Sequence, residues 1–265
     1  QDAVLIGIGG QAALEKLLAE PATADVIKMQ IRQNLGLDAG RLLTTGSAPT
    51  PMPLHAWFEA LDMPLCELYG QSEVLSGTSN LPWHRKAGTL GKPTVNTEVK
   101  ISDNGEILIK AKAVMLGYLH EPEKTAETLI DGWVHTGDKG EIDEDGFLTL
   151  TGRIKEIFKT ARGKYVAPLP VESLFSSNPN LEQMCLVGSG LPQTVLLVQL
   201  SEGGKAMDKP QLERALYDHV LHVNAGLDSH LRIACVIISD QSFYLSCSHK
   251  FRVKLRGKSL VKTIR

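Results

Sequence analysis

A chain of 265 residues, 43% hydrophobic and 22% charged, has the composition of a globular protein and length enough for two domains. A formal net charge of −2 supplies no basic field to recruit nucleic acid or an anionic membrane. Cys66, Cys185, Cys235 and Cys247 form no Cys-x-x-Cys pair, which argues against a zinc site or a disulfide framework and for buried thiols in a reducing cytosol. Apolar runs such as residues 194–200 fall well short of the roughly 18 residues of a membrane span. The expected location is cytoplasmic, at most peripheral to a membrane surface. The chain opens on Gln1 instead of Met, which reads as a cut rather than a natural start.

The first 40 residues read mostly as helix, with Ala12, Leu14, Leu17 and Leu18 at helical spacing and the pattern resuming over 26–35 after Pro21. A strand over 41–45 runs into the turn Gly46-Ser47-Ala48-Pro49. A helix over 51–60 follows, then a strand over 64–68 that ends at Tyr69-Gly70. This order predicts an α/β layer with its loops at the strand ends, where ligands are held. Residues 88–152 read as β-rich: 97–101 and 106–110 alternate around Asp103-Asn104-Gly105, and 141–143 and 147–151 around Glu144-Asp145-Gly146. Strands over 154–159 and 164–166 open a second unit. A helix after Pro170, strands over 184–187 and 195–200, a loop over 201–210, a helix over 211–224 and a strand over 233–238 complete a small α+β domain.

Short motifs punctuate this order. Tyr69-Gly70-Gln71-Ser72-Glu73 resembles the Tyr-Gly-x-(Ser/Thr)-Glu loop of the adenylate-forming superfamily, and the upstream Gly46-Ser47-Ala48-Pro49 resembles its adenine-binding turn. Thr136-Gly137-Asp138 is similar to the family's Thr-Gly-Asp motif. Gly152-Arg153-Ile154-Lys155-Glu156 is similar to its hinge, and residues 159–166, Gly163 among them, to the loop that follows. Singly each is weak; in order and at this spacing they identify the chain as similar to the C-terminal half of an AMP-dependent synthetase. The chemistry is coherent. A tyrosine ring offers adenine a flat apolar face and glycines admit backbone beside it. Glu73 is a hard oxygen ligand for Mg2+. Ser72 offers a hydroxyl to the α-phosphate, while Asp138 and Arg153 provide an acceptor and a charged donor for ribose. Taken alone, Asp138 would be an ordinary turn residue and Arg153 a surface charge.

The resemblance implies an α/β large-domain remnant over 1–153 and a mobile α+β lid over 154–265, hinged near Lys155. It implies ATP/AMP, Mg2+ and coenzyme A as ligands, with Gly46, Ser47, Ala48, Pro49, Tyr69, Gly70, Gln71, Asp138, Arg153, Lys155 and Gly163 in binding roles. Ser72, Glu73 and Lys250 are the catalytic candidates, Glu73 also the metal ligand. Lys250 would steady charge as carboxylate attacks phosphorus, although Ser246-Cys247-Ser248 departs from the family's Thr-Pro-Thr context and Arg252, Lys254 and Lys258 compete for the role. The segments 88–93, 131–135 and 159–168 look most like long-chain acyl-CoA synthetases, with a fatty acid and coenzyme A as substrates. Trp57 and Phe58 either line an acyl channel or are plain core.

The family's lysine-bearing phosphate loop has no counterpart in residues 1–40, so the chain is expected to be a fragment with little activity alone. Gly7-Ile8-Gly9-Gly10-Gln11-Ala12 fits a dinucleotide fingerprint, but only three apolar residues precede it. Gly257-Lys258-Ser259 fails as a phosphate loop because Arg252 stands where its first glycine belongs. Two alternatives stay open: an acyl-AMP ligase that does not use coenzyme A, and a non-catalytic module of the same fold.

Overall fold

The computed structural model describes residues 13, 16, 18–239 and 260–263. Contacts divide the chain into two compact units, residues 1–99, 109–134 and 142–149 in one, and residues 100–108, 135–141 and 150–265 in the other. The fold is mixed α/β with several sheets, as the sequence predicts.

In the first unit, helix α1 (Pro21–Asn34) begins with proline in its first turn, where the missing N–H costs nothing. Strand β1 (Leu43–Gly46), helix α2 (Met52–Ala60), strand β2 (Leu65–Gln71) and strand β3 (Val74–Ser79) follow. A four-stranded sheet runs β1-β2-β3-β4, β4 being Lys92–Pro93. β1 and β2 are parallel, and β2 and β3 antiparallel. Ile31, Trp57, Leu61 and Met63 form a core cluster against this layer. Trp57 and Phe58 meet edge to face at 5.0 Å, and Trp57 is buried. Between channel and core, the described structure puts Trp57 in the core. Its indole N–H has no acceptor among the described residues.

Strands β5 (Thr97–Ile101), β6 (Glu106–Ala111), β7 (Leu129–Ile130), β8 (Trp133–Ile142) and β9 (Leu148–Arg153) form a five-stranded sheet, in order β5-β6-β8-β7 with β9 on β8. Both predicted hairpins are present. The first turns at Gly105 (φ 83°), and the second at Gly146 (φ 84°), where the Asp143 carboxylate accepts from the Asp145 and Phe147 amides at 3.1 and 2.8 Å. Helix α3 (Pro122–Thr128), which the sequence reading left out, stands between β6 and β7.

In the second unit a 3-10 turn (Ile154–Glu156) replaces the first part of a predicted strand, and β10 (Phe158–Lys159) pairs antiparallel with β11 (Tyr165–Val166). Helix α4 (Pro168–Ser173), β12 (Leu181–Val187), β13 (Thr194–Leu200), helices α5 (Glu202–Ala206) and α6 (Lys209–Ala225), β14 (Ile233–Ile238) and β15 (Leu260–Thr263) follow. The predicted loop over 201–210 therefore contains a helix. Ser201 caps it by accepting from the Gly204 amide at 3.1 Å, and Asp208 caps α6 through the Gln211 amide at 3.0 Å. The sheet order is β12-β13-β14-β15, with β13 and β14 parallel. Phe175, after α4, and Val220 and Val223 of α6 pack against Leu186, Leu196, Val198 and Ile233. Leu212, Leu216, Val220 and Val223 recur at helical spacing as the buried residues of α6, and the last two meet the apolar sheet face. No disulfide joins Cys66, Cys185 and Cys235, and burial pushes the Cys185 thiol pKa up to about 11, with Glu172 and Glu156 adding to it.

Candidate functional site

Parallel pairing organises the candidate residues of the first unit. Gly46 is the register partner of Leu68, so β1 and β2 leave the sheet at the same end. The Gly46–Pro49 turn and the Tyr69–Glu73 segment therefore emerge together, at the carboxyl ends of parallel strands where open α/β sheets bind ligands. The turn is exposed, and Ser47 lies at φ 70°, the left-handed region that a residue with a Cβ seldom occupies.

Beneath the turn lies a network that the sequence reading missed. Glu67, on the same face of β2 as Tyr69, is buried and uses both carboxylate oxygens. Oε1 accepts from the Thr50 amide at 2.9 Å and Oε2 meets His55 Nε2 at 3.2 Å. The Thr45 and Thr50 hydroxyls bond at 3.0 Å. A buried carboxylate demands such partners, and here they tie the loop after β1 to the strand bearing Tyr69. The only sequence signal was a glutamate inside an apolar run.

Tyr69-Gly70-Gln71 belongs to β2 itself, not to a loop beyond it as predicted. The strand is prolonged because β3 pairs with it antiparallel, with a register shift between Tyr69 and Gln71. Tyr69 is buried and Ser72 is exposed in the turn of the hairpin. A Cβ on Gly70 would lie 2.3 Å from the Leu75 carbonyl oxygen, so only glycine fits there. Glu73 is held at both ends. Its carbonyl accepts from the Met115 amide at 2.8 Å, and its Oε1 accepts from the Tyr118 hydroxyl at 2.5 Å. Burial, reinforced by this bond to a carboxylate, raises the Tyr118 pKa and keeps the phenol a donor. Thr125 of α3 accepts from the Tyr118 amide at 2.9 Å, and Lys124 lies 4.4 Å over the ring centre.

In the second unit, Asp138 and Arg153 come together: Nε lies 3.2 Å from Oδ1, with Asp138 buried and Arg153 largely exposed. Arg153 also reaches toward Glu156 at 3.9 Å. Lys155 is exposed in the 3-10 turn, and Gly163 (φ 79°) turns the loop between β10 and β11. Lys250 lies outside the described residues, as do the 7–12 glycine signal and Cys247. No group of three or more His, Cys, Asp or Glu suited to a metal ion occurs among the described residues. Nor is any described helix long and apolar enough to cross a membrane.

Each unit taken by itself offers groups of the kind a nucleotide binds: the first has exposed backbone at the ends of parallel strands and a carboxylate fixed by a phenol, and the second pairs a carboxylate with a guanidinium, an acceptor and a donor. Residues 11–119 match the family described as AMP-binding enzyme, and residues 156–255 match its C-terminal domain. The long-chain-fatty-acid–CoA ligase FadD15 of Mycobacterium bovis is 38% identical over 186 residues, 69% of this chain and 30% of that protein. The long-chain-fatty-acid–CoA ligase heimdall of Drosophila melanogaster is 33% identical over 207 residues, 76% of this chain and 30% of its own. This chain spans about a third of the length of such relatives. Among solved structures, o-succinylbenzoate CoA synthetase of Bacillus subtilis, bound to its acyl-adenylate, superposes with TM-score 0.67 at 22% identity, covering 82% of this chain and 46% of that one. Amide bond synthetase McbA of Marinactinospora thermotolerans gives 0.61 at 25%, covering 82% and 47%.

Proposed function

From the premise that the chain belongs to the AMP-binding, adenylate-forming enzyme family, we propose that it is the C-terminal portion of a fatty acyl-CoA synthetase. A fatty carboxylate oxygen attacks the α-phosphorus of ATP and pyrophosphate leaves. The coenzyme A thiol then attacks the acyl carbonyl of the acyl-adenylate, loses its proton, and AMP departs. The observation that carries the reading is the parallel β1–β2 register, which delivers the Gly46–Pro49 turn and the Tyr69–Glu73 segment to one sheet end.

In this reading Gly46, Ser47, Ala48 and Pro49, with Tyr69, Gly70 and Gln71, take the adenine, and Asp138 with Arg153 takes the ribose. The hydroxyl of Ser72, exposed in the hairpin turn, bonds the α-phosphate. Glu73 is the oxygen ligand for Mg2+, which when bound neutralises phosphate charge; a carboxylate already fixed by Tyr118 fits that task. Lys250 stabilises charge on the carboxylate and α-phosphate. Residues 154–265 form the lid, turning near Lys155 to carry Gly163 and its loop toward the thiol path. That boundary is supported by the start of the C-terminal family match at residue 156. The site of action is the cytoplasm, with at most a peripheral membrane contact.

The test is fatty-acid-dependent exchange of pyrophosphate into ATP, measured on the chain extended upstream to the length of its relatives, with acids from acetate to oleate. Exchange with long acids only, and AMP release that then depends on coenzyme A, is the expected result. No exchange with any acid from a folded protein would overturn the proposal, and exchange with release indifferent to coenzyme A would make the protein an acyl-AMP ligase.

A further inference from the structure

Glu106 opens β6 and is buried, with its side chain 11% exposed. None of the motifs singled out in the sequence contains it. A buried carboxylate needs partners for both oxygens, and the partners found are Gly137 of the Thr-Gly-Asp segment and His135 just before it, about thirty positions downstream. Oε1 accepts from the Gly137 amide at 2.9 Å, and Oε2 meets His135 Nδ1 at 2.9 Å. The next residue of β6 continues the grip, because the Thr136 hydroxyl donates to the Ile107 carbonyl at 2.7 Å. That same hydroxyl accepts from the Asp138 amide at 3.1 Å. Glu106 is itself anchored, its amide donating to Ser102 Oγ at 2.9 Å in the Gly105 turn.

The grip falls where the backbone needs it. Gly137 lies at φ 72° in the middle of β8, and a Cβ there would meet nothing within 4 Å. Glycine is therefore required by conformation and not by space, and the Glu106 carboxylate fixes the amide of that unusual residue. The direction in which the chain leaves Gly137 decides where the Asp138 carboxylate points. We infer that Glu106 is a positioning residue for nucleotide binding, a buried clamp that holds Gly137 left-handed and so aims Asp138 at the ribose diol. This rests on the reading of Asp138 as the ribose ligand.

A residue that only stabilised the fold would weaken all nucleotides alike; one that aims Asp138 acts on the diol. Binding of AMP and of 2′,3′-dideoxy-AMP to the 265-residue chain, measured by calorimetric titration, separates the two. AMP makes no demand on a site for β- and γ-phosphates. The wild type is expected to prefer AMP by roughly tenfold or more, the scale of one hydrogen bond to a charged group. Glu106→Ala, and Glu106→Asp with its carboxylate drawn back by one methylene, reduce that preference to about threefold or less, while affinity for the dideoxy nucleotide stays near wild type. Glu106→Gln retains the preference, because its amide oxygen still accepts from Gly137. Thermal melts by circular dichroism identify the folded variants, and if Glu106→Ala does not fold, Glu106→Asp answers the same question. A folded Ala or Asp variant with the wild-type ratio overturns the inference alone. Absence of any preference in the wild type, or its persistence in Asp138→Asn, overturns the ribose reading and this inference with it.

Discussion

Gly70 and Glu73 show how narrowly single residues are constrained around the candidate site. Gly70 sits where any side chain would collide with the Leu75 carbonyl of the facing strand, at 2.3 Å. Gly70→Ala is therefore expected to destabilise the protein by about 1–3 kcal/mol, the range for overpacking a tight site, read as a lowered urea midpoint with unchanged slope. Glu73 has its carboxylate orientation set by Tyr118, and the hydroxyl is the only atom that phenylalanine would remove. Tyr118→Phe is expected to raise the Mg2+ concentration for half-maximal pyrophosphate exchange by about fivefold, corresponding to one net hydrogen bond of about 1 kcal/mol. An unchanged requirement would show that Tyr118 does not act through Glu73. Sequence made Glu73 visible through its motif. Tyr118, 45 residues away, carried no such signal because its role exists only once Val74 and Val114 are bridged.

Elements are held by a few polar contacts as well as by apolar faces, and α4 is a case in point. Glu172 on α4 accepts from the Leu186 amide of β12, locking helix to sheet. Burial raises its pKa, with Glu156 adding to the shift and the Leu186 bond opposing it. The folded state therefore binds this proton more tightly than the unfolded chain. Stability from this group is fully present below the ordinary glutamate pKa and is lost as pH rises through the folded value. Glu172→Gln keeps the acceptor and removes the titration. Its melting temperature is expected to exceed wild type at pH 7.5 and to converge with it near pH 4. Equal melting temperatures at both values would mean that Glu172 titrates alike in the two states. At this scale much was legible: the strand read over 233–238 coincides with β14 to the residue, and Asp103-Asn104-Gly105 marks its hairpin. The helix over Glu202–Ala206 was not legible, since two glycines and a lone serine cap leave only tertiary contact to hold it. Gly204 in particular lies against the Asn180 backbone, too close for any side chain.

For the molecule as a whole, the exchange assay decides the proposed reaction, because the chain matches about a third of the length of its full relatives. Sequence alone determined the motif order, the two β-turn hairpins, the amphipathic α6 and the family resemblance. All of these are written in residues close together along the chain, where turn chemistry and periodicity act directly. Tertiary structure alone decided the parallel register that sets Gly46 opposite Leu68, the buried Glu67–His55 pair, the Tyr118 bond to Glu73 and the Glu106 clamp on Gly137. Each joins residues 12 to 45 positions apart. Local propensity does not encode such pairs: the register follows from which strand the sheet places beside β1, and the other three form because a carboxylate withdrawn from water must find a donor that only the folded chain brings near.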